Sequence, residues 1–349
     1  MSGSILTTGA SGYLGGSLLA RLHDTSLPSH KTLYALVRSK AQAEAVKSYG
    51  AEPLFIDFED EQSVARSIVE RQITIIFFLV DAMKPNMQIP MIKALAEVKK
   101  QTGLDVHFLH TSGAKIFSEH AGLPTDHALS DDEPGLYRMQ KDAESPHAFL
   151  KQATNTNNTI IETAENLGVR SYIFIPCIVY GEGQGFGNKI SIQTTAVIKA
   201  AKGVGRMYDI NPEGATWPVC HIHDNTQLYM SLLLSILNGK NPGHGKNGYY
   251  LASSGSIAWY DLYSAVAKAL TQRGVLDSAE VQKADNAALE KMAEALGCPK
   301  QMVAVQLGGK CTLQPRRGLE LGWKPQYASE HIIEKADAEV ELILRHLKN

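Results

Sequence analysis

The sequence predicts a doubly wound α/β fold, a parallel sheet with helices on both faces, carrying a smaller and mostly helical C-terminal lobe. Three observations lead to it. The first half alternates short apolar runs with longer stretches of helical periodicity. A glycine triplet, Gly9-Ala-Ser-Gly12-Tyr-Leu-Gly15, sits at the first junction of run and helix, and the regular alternation ends beyond Tyr180. Strands that are apolar throughout belong to sheets covered on both faces. A repeated strand–helix–strand pattern closes through right-handed crossovers into a parallel sheet.

In chain order the apolar runs predict strands over 4–8, 32–37, 53–56, 73–80, 106–111 and 169–175. Between them the 3.6-residue periodicity predicts helices over 13–23, 40–49, 61–70, 87–102 and 159–167. The polar run Thr154-Asn-Thr-Asn-Asn158 reads as a loop ending in a helix cap. Past Tyr180 comes a glycine-rich loop, GEGQGFGN, then predicted helices over 191–202, 224–237, 259–272 and 330–346. We read residues 1–180 as the dinucleotide-binding domain, with 215–255 contributing, and 181–214 with 256–349 as the substrate-binding lobe. That lobe should lie over the C-terminal ends of the strands, where such sheets bind ligands.

Composition narrows the function classes. The chain has 349 residues and a formal net charge of −2, with no basic face to recruit nucleic acid or an anionic membrane. The most apolar stretch, 73–80, is far too short to span a bilayer, and the N-terminus lacks a basic and apolar leader pattern. Cys177, Cys220, Cys298 and Cys311 are scattered without paired spacing, as suits a reducing compartment. The expectation is a cytoplasmic protein acting on a small-molecule substrate.

The glycines carry the first chemistry. A strand ending at Thr8 must turn sharply into a helix. Glycines allow that turn, let a pyrophosphate approach the backbone, and let the helix sit close to the sheet. The free N–H groups of the helix start then favour the anion. Gly9, Ser11, Gly12, Tyr13, Leu14 and Gly15 are accordingly candidate cofactor residues. The second strand, LYALVRSK, ends in Arg38 with Lys40 nearby rather than in an acid, which suits the 2′-phosphate of NADP better than the free ribose of NAD. Asp57, after the third strand, is positioned either to meet the adenine amino group or to cap a turn.

With these motifs, HTSG at 110–113, IPCIVYGEGQG at 175–185, HIHD at 221–224 and LGWKP at 321–325, the chain resembles the extended and atypical short-chain dehydrogenases/reductases. It is most similar to their NAD(P)-dependent epimerase/dehydratase-like branch, over nearly its whole length. The resemblance implies a Rossmann-type fold in which Ser112 binds the substrate oxygen. Tyr137-Arg-Met-Gln-Lys141 matches the Tyr-x-x-x-Lys motif, and Pro176, Ile178 and Val179 line the nicotinamide. Phe58 and Leu79 join the cofactor wall, and a homodimer is compatible with the family.

The i,i+4 spacing brings Tyr137 and Lys141 to one helix face, where the ammonium could lower the tyrosine pKa and bind the ribose. Pro146 opposes this by interrupting the long helix that usually carries the motif. If Tyr137 is out of reach, the proton donor is to be sought among Ser112, Lys115, solvent and the glycine-rich loop. His221 and His223 alternate as strand residues do, but no third ligand is near, and a strand leading into a helix capped by Asp224 explains them without metal. Trp217-Pro218 stands where nucleotide-sugar members carry an arginine, which favours a less polar substrate. The expected activity is NADP(H)-dependent reduction of a carbonyl on a small, partly apolar metabolite. The rivals are a redox-neutral epimerase or dehydratase that retains its cofactor, and a non-catalytic NADP-sensing protein.

Overall fold

A computed structural model describes residues 3–28 and 30–347. The chain opens with β1 (Ser4–Thr7), α1 (Tyr13–Asp24), β2 (Leu33–Leu36), α2 (Lys40–Lys47), β3 (Glu52–Leu54), α3 (Glu61–Val69), β4 (Ile73–Phe78), α4 (Gln88–Thr102) and β5 (His107–Thr111). There follow β6 (Leu129–Ser130), α5 (Leu136–Asp142), α6 (Ala148–Asn166), β7 (Arg170–Pro176) and β8 (Ile178–Tyr180). The remainder holds α7 (Ile192–Val204), β9 (Met207–Asp209), β10 (Thr216–His221), α8 (Ile222–Leu237), β11 (Tyr249–Ala252), β12 (Gly255–Ala258) and α9 (Trp259–Gln272). It closes with β13 (Val281–Lys283), α10 (Asn286–Leu296), α11 (Gln301–Leu307), β14 (Leu313–Gln314), α12 (Arg316–Glu320), α13 (His331–Glu334) and α14 (Ala336–His346).

Seven strands form the central sheet in the order β11-β7-β5-β4-β1-β2-β3, and every pairing in it is parallel. The chain order reverses beside β1, so the crevice between the C-terminal ends of β1 and β4 is the topological switch point where this architecture binds ligands. All six residues of β4 are buried, as expected of a strand covered on both faces. A three-stranded sheet, β12-β10-β8, lies beyond the main one and carries Trp217 on its middle strand.

Two elements differ from the sequence reading at a point that matters for the site. The predicted loop TNTNN lies inside α6, a helix of 19 residues rather than the nine predicted over 159–167. Most of its polar run faces inward: Thr154, Thr156, Asn157 and Asn158 are buried and only Asn155 is exposed, so the run offers hydrogen bonds to the interior. Pro146 does end the preceding helix, since α5 stops at Asp142 and α6 begins only at Ala148.

Candidate active site

The glycine turn is built as the triplet predicts. Gly9 has φ +67°, a left-handed conformation, and its carbonyl accepts from the Gly12 N–H at 2.8 Å. A Cβ on Gly15 would lie 2.3 Å from the Gly9 oxygen, so α1 approaches the loop as closely as only glycine permits. Gly12 is the N-cap of α1 and, lacking a side chain, caps nothing. The first-turn N–H groups therefore have no capping side chain, a setting that suits an anion. Leu79, after β4, sits against Gly9, and its N–H donates to Thr8 Oγ1 at 2.9 Å.

Around this cradle, Gln42 holds two parts together. Its Nε2 donates to Ser11 Oγ at 3.1 Å, and its Oε1 accepts from the Arg38 backbone N–H at 2.8 Å. Arg38 is exposed, and its guanidinium has no ion pair among the described residues, which leaves it available to a phosphate. Asp57 caps the turn at Glu59, accepting from its N–H at 3.0 Å, while its exposure leaves a carboxylate oxygen open; Phe58 beside it is half-buried. The GEGQGFGN loop folds over the same region. The Asn188 N–H donates to the Ser11 carbonyl at 2.9 Å, and Cβ atoms on Gly185 and Gly187 would meet Gly16 and Ser11 at 2.5 and 2.1 Å.

A cavity of about 240 Å³ lies between the start of α1 and the segments that follow β5 and β7. Tyr13 and Leu14 of α1, Ser112 and Lys115 after β5, and Pro176, Cys177, Val179 and Trp217 line it. Ser112 follows β5, and its hydroxyl accepts from Asn157 Nδ2 of α6 at 3.1 Å. The buried polar run of α6 is thus what positions Ser112. Ile178, by contrast, is fully buried within the main core and does not line the cavity, because neighbouring residues of β8 point to opposite sides.

Lys115 is the other polar side chain of note. Its Nζ donates to the Gly308 carbonyl at 2.9 Å and stands 4.0 Å from the centre of the Trp217 ring. Burial pushes its pKa down to about 7, against the smaller opposing pull of Cys311 and Glu119. Burial moves the Cys177 thiol the other way, well above its usual range, and its Sγ donates to the Ala252 carbonyl at 2.9 Å. It is a wall of the cavity and no thiolate.

Tyr137 and Lys141 do share one face of α5, but the structure does not bring them to Ser112. Both donate to Oε1 of Glu162, the lysine at 2.6 Å. Their other neighbour is Lys246, whose Nζ stands 5.5 Å from the Tyr137 ring. Lys246 belongs to the turn that leads into the N-terminal end of β11, at the opposite edge of the sheet from Ser112, which follows the C-terminal end of β5. Desolvation and Glu162 raise the Tyr137 pKa, so the expected lowering by Lys141 is reversed. Neither residue lines the cavity.

The HIHD and LGWKP segments prove to be braced against each other. The N-cap of α8 is His221, not Asp224; its Nδ1 accepts from the His223 N–H at 3.2 Å. His223 lies in the helix, so the two imidazoles do not share a strand face. The Asp224 carboxylate accepts from the N–H groups of Gln326 and Tyr327 at 2.8 and 2.9 Å, and its carbonyl accepts from Trp323 Nε1 at 2.8 Å. Sequence reasoning missed Asn157 and Gln42 as site residues. The only signal for Asn157 was a polar run at positions that helical spacing from the later apolar residues would bury.

Comparison with known proteins agrees with this geometry. Residues 5–244 match the model of the NAD dependent epimerase/dehydratase family. The oxidase ucsJ of an Acremonium species is 21% identical over 348 residues, covering 93% of each chain. Among solved structures, the UDP-glucose 4-epimerase of Thermotoga maritima superposes with a TM-score of 0.63 at 15% identity, covering 99% of this chain and 100% of the other. Vestitone reductase from alfalfa does so with a TM-score of 0.60 at 14% identity, covering 98% and 99%. The glycine turn at the start of α1, the all-parallel sheet and the family match over most of its length make this chain a member of the NAD dependent epimerase/dehydratase family, with the NAD(P)-dependent enzyme fold of that family.

Proposed function

We propose that the protein is an NADP(H)-dependent oxidoreductase that reduces a carbonyl group on a small, partly apolar metabolite. One observation carries the reading: a single cavity connects the start of α1 to Ser112 and is walled by Pro176, Cys177, Val179 and Trp217. Bound along it, the reduced nicotinamide supplies a hydride. Gly9, Gly12 and the α1 N-terminus hold the pyrophosphate, Arg38 pairs with the 2′-phosphate, and Ser112, held by Asn157, orients the substrate oxygen. The division of labour is between residues 1–180 with 215–255, which bind the dinucleotide, and 181–214 with 256–349, which shape the substrate end.

The cavity's chemistry limits the substrate. Among the described residues no arginine lines it, and its polar groups are few, so a nucleotide-sugar diphosphate would meet little compensation for losing water. The large Trp217 face favours an apolar or aromatic ligand. That the Acremonium relative is named an oxidase is in keeping with net redox chemistry.

The test is NADPH oxidation by the full chain across aromatic and aliphatic aldehydes and ketones, with the dinucleotide content of the purified protein measured in parallel. Turnover that consumes NADPH one for one with carbonyl is expected. A tightly retained dinucleotide with no net consumption would favour the epimerase or dehydratase reading. Exchangeable NADPH binding with no turnover on any carbonyl would favour a sensor.

A further inference from the structure

We propose that the ε-amino group of Lys115 is the proton donor of the cavity, taking the place that the Tyr-x-x-x-Lys motif was expected to fill. The inference rests on the carbonyl-reductase reading and starts from elimination among the side chains that line the cavity and can release a proton. The Tyr13 hydroxyl is buried and donates to the Gly181 carbonyl at 2.6 Å, and burial with Glu339 nearby raises its pKa well above the usual value. The Cys177 thiol is committed to the Ala252 carbonyl. Ser191 caps α7, its oxygen accepting from the Thr194 N–H. Ser112 is held by Asn157, and a serine hydroxyl near neutrality orients rather than gives up its proton.

Lys115 remains, and its surroundings fit the task. An ammonium carries three protons, and only one is used by the Gly308 carbonyl. The Trp217 and Trp259 faces, 4.0 and 5.8 Å from Nζ, favour the charged form, while burial disfavours it. Burial, opposed by Cys311 and Glu119, brings the group down to about 7, where a general acid works best at neutral pH. Its neighbours agree: Glu119 and Cys311 favour the ammonium, and His120, itself lowered to about 4 by burial and by Lys115, stays neutral beside it.

The step balances. Hydride arrives at the carbonyl carbon as the C–O π pair moves to oxygen. That oxygen takes a proton from Nζ, and the amine left behind is reprotonated by water. The hydride and its two electrons come from the reduced dinucleotide of the proposed activity.

Two measurements on the full-length protein test this. Competitive acetylation with acetic anhydride between pH 5 and 10, read by peptide mass spectrometry, should give Lys115 a titration midpoint at least two pH units below those of surface lysines. A midpoint among the surface lysines would overturn the proposal. Lys115→Gln and Lys115→Arg should bind NADPH within about twofold of wild type and melt as cooperatively, yet lose ~10²–10⁴-fold in carbonyl turnover. They should also lose the wild-type decline of reduction rate above neutral pH. Retained turnover in Lys115→Arg would mean that Lys115 supplies only charge and would overturn the donor role. No NADPH oxidation by wild type would sink the carbonyl reading and the donor role with it, leaving the measured Lys115 titration standing as a separate fact.

Discussion

Replacing Arg38 with alanine isolates cofactor choice, because the structure gives the guanidinium no other work. The side chain is exposed and has no ion pair among the described residues, so its removal leaves no charge stranded. The backbone N–H that anchors the turn to Gln42 survives the substitution. Fold stability should move by less than ~0.5 kcal/mol, the usual range for a surface change. The loss on the 2′-phosphate is that of a charge-assisted contact, about 1.5–3 kcal/mol in general. Exposure to solvent puts this one at the lower end, and ~1.5–2 kcal/mol corresponds to roughly a 10- to 30-fold weaker NADPH Kd. NADH has no phosphate there and should bind as before. Isothermal titration of both cofactors at low and high salt reads the result. The NADPH deficit should shrink as salt screens the wild-type contact. Equal weakening of both cofactors, or none of NADPH, would refute the assignment of Arg38.

Other perturbations test separate parts of the site. Gly15→Ala puts a Cβ 2.3 Å from the Gly9 carbonyl oxygen, a clash of backbone with backbone; dinucleotide binding should be lost, with destabilisation of ~1–3 kcal/mol, and retained affinity would show that the turn tolerates a wider spacing. Tyr137→Phe removes a hydroxyl bonded to Glu162 at the far edge of the sheet, so turnover on any substrate found should stay within twofold, and a loss of ~10²-fold would return the tyrosine to the mechanism. Acid should destabilise the fold through its buried histidines. His107 and His110 are both lowered to about 3, chiefly by burial, so between pH 6.5 and 3 the unfolded chain binds protons that the native chain does not. Each contributes about 1.4 kcal/mol of lost stability per pH unit, and Asp131, raised to about 6 by burial, offsets one of them between pH 6 and 4. Urea unfolding at pH 7, 6 and 5 should therefore show falling stability, and a flat or rising trend would contradict these assignments.

Much of the fold was legible because its signals are local and of one sign. Ile73 to Phe78 is apolar at every position but Thr74 and could hardly be anything but a doubly covered strand. Gly9, with its left-handed backbone, and Gly15, where a Cβ would strike the Gly9 carbonyl, are positions that demand glycine, and Gly12 is tight beside them. The site was legible only at that end. Tyr137-x-x-x-Lys141 has the correct spacing, but spacing fixes a shared helix face and not which way the face looks. That direction was decided by Pro146, which split one helix into α5 and α6, and by Glu162, a carboxylate 21 residues from Lys141 that captures both side chains.

The same break explains why Lys115 and Asn157 were hard to read. With α5 ending early, the long helix that backs the active-site strand is α6, and the residue it offers to Ser112 is an asparagine. Asparagine can hold a hydroxyl by hydrogen bonding, but at neutral pH it has no proton to give. The proposed reduction would then draw its proton from elsewhere in the cavity, and the nearest ionisable group on the chain that follows Ser112 is Lys115, two residues beyond Gly113. What tunes it is non-local: Trp217 comes from a second sheet, and Gly308 from the segment after α11. A lysine four residues after a strand is ordinarily a solvated cation. Only the chain's return through 217 and 308 desolvates it enough for its proton to become exchangeable near neutral pH.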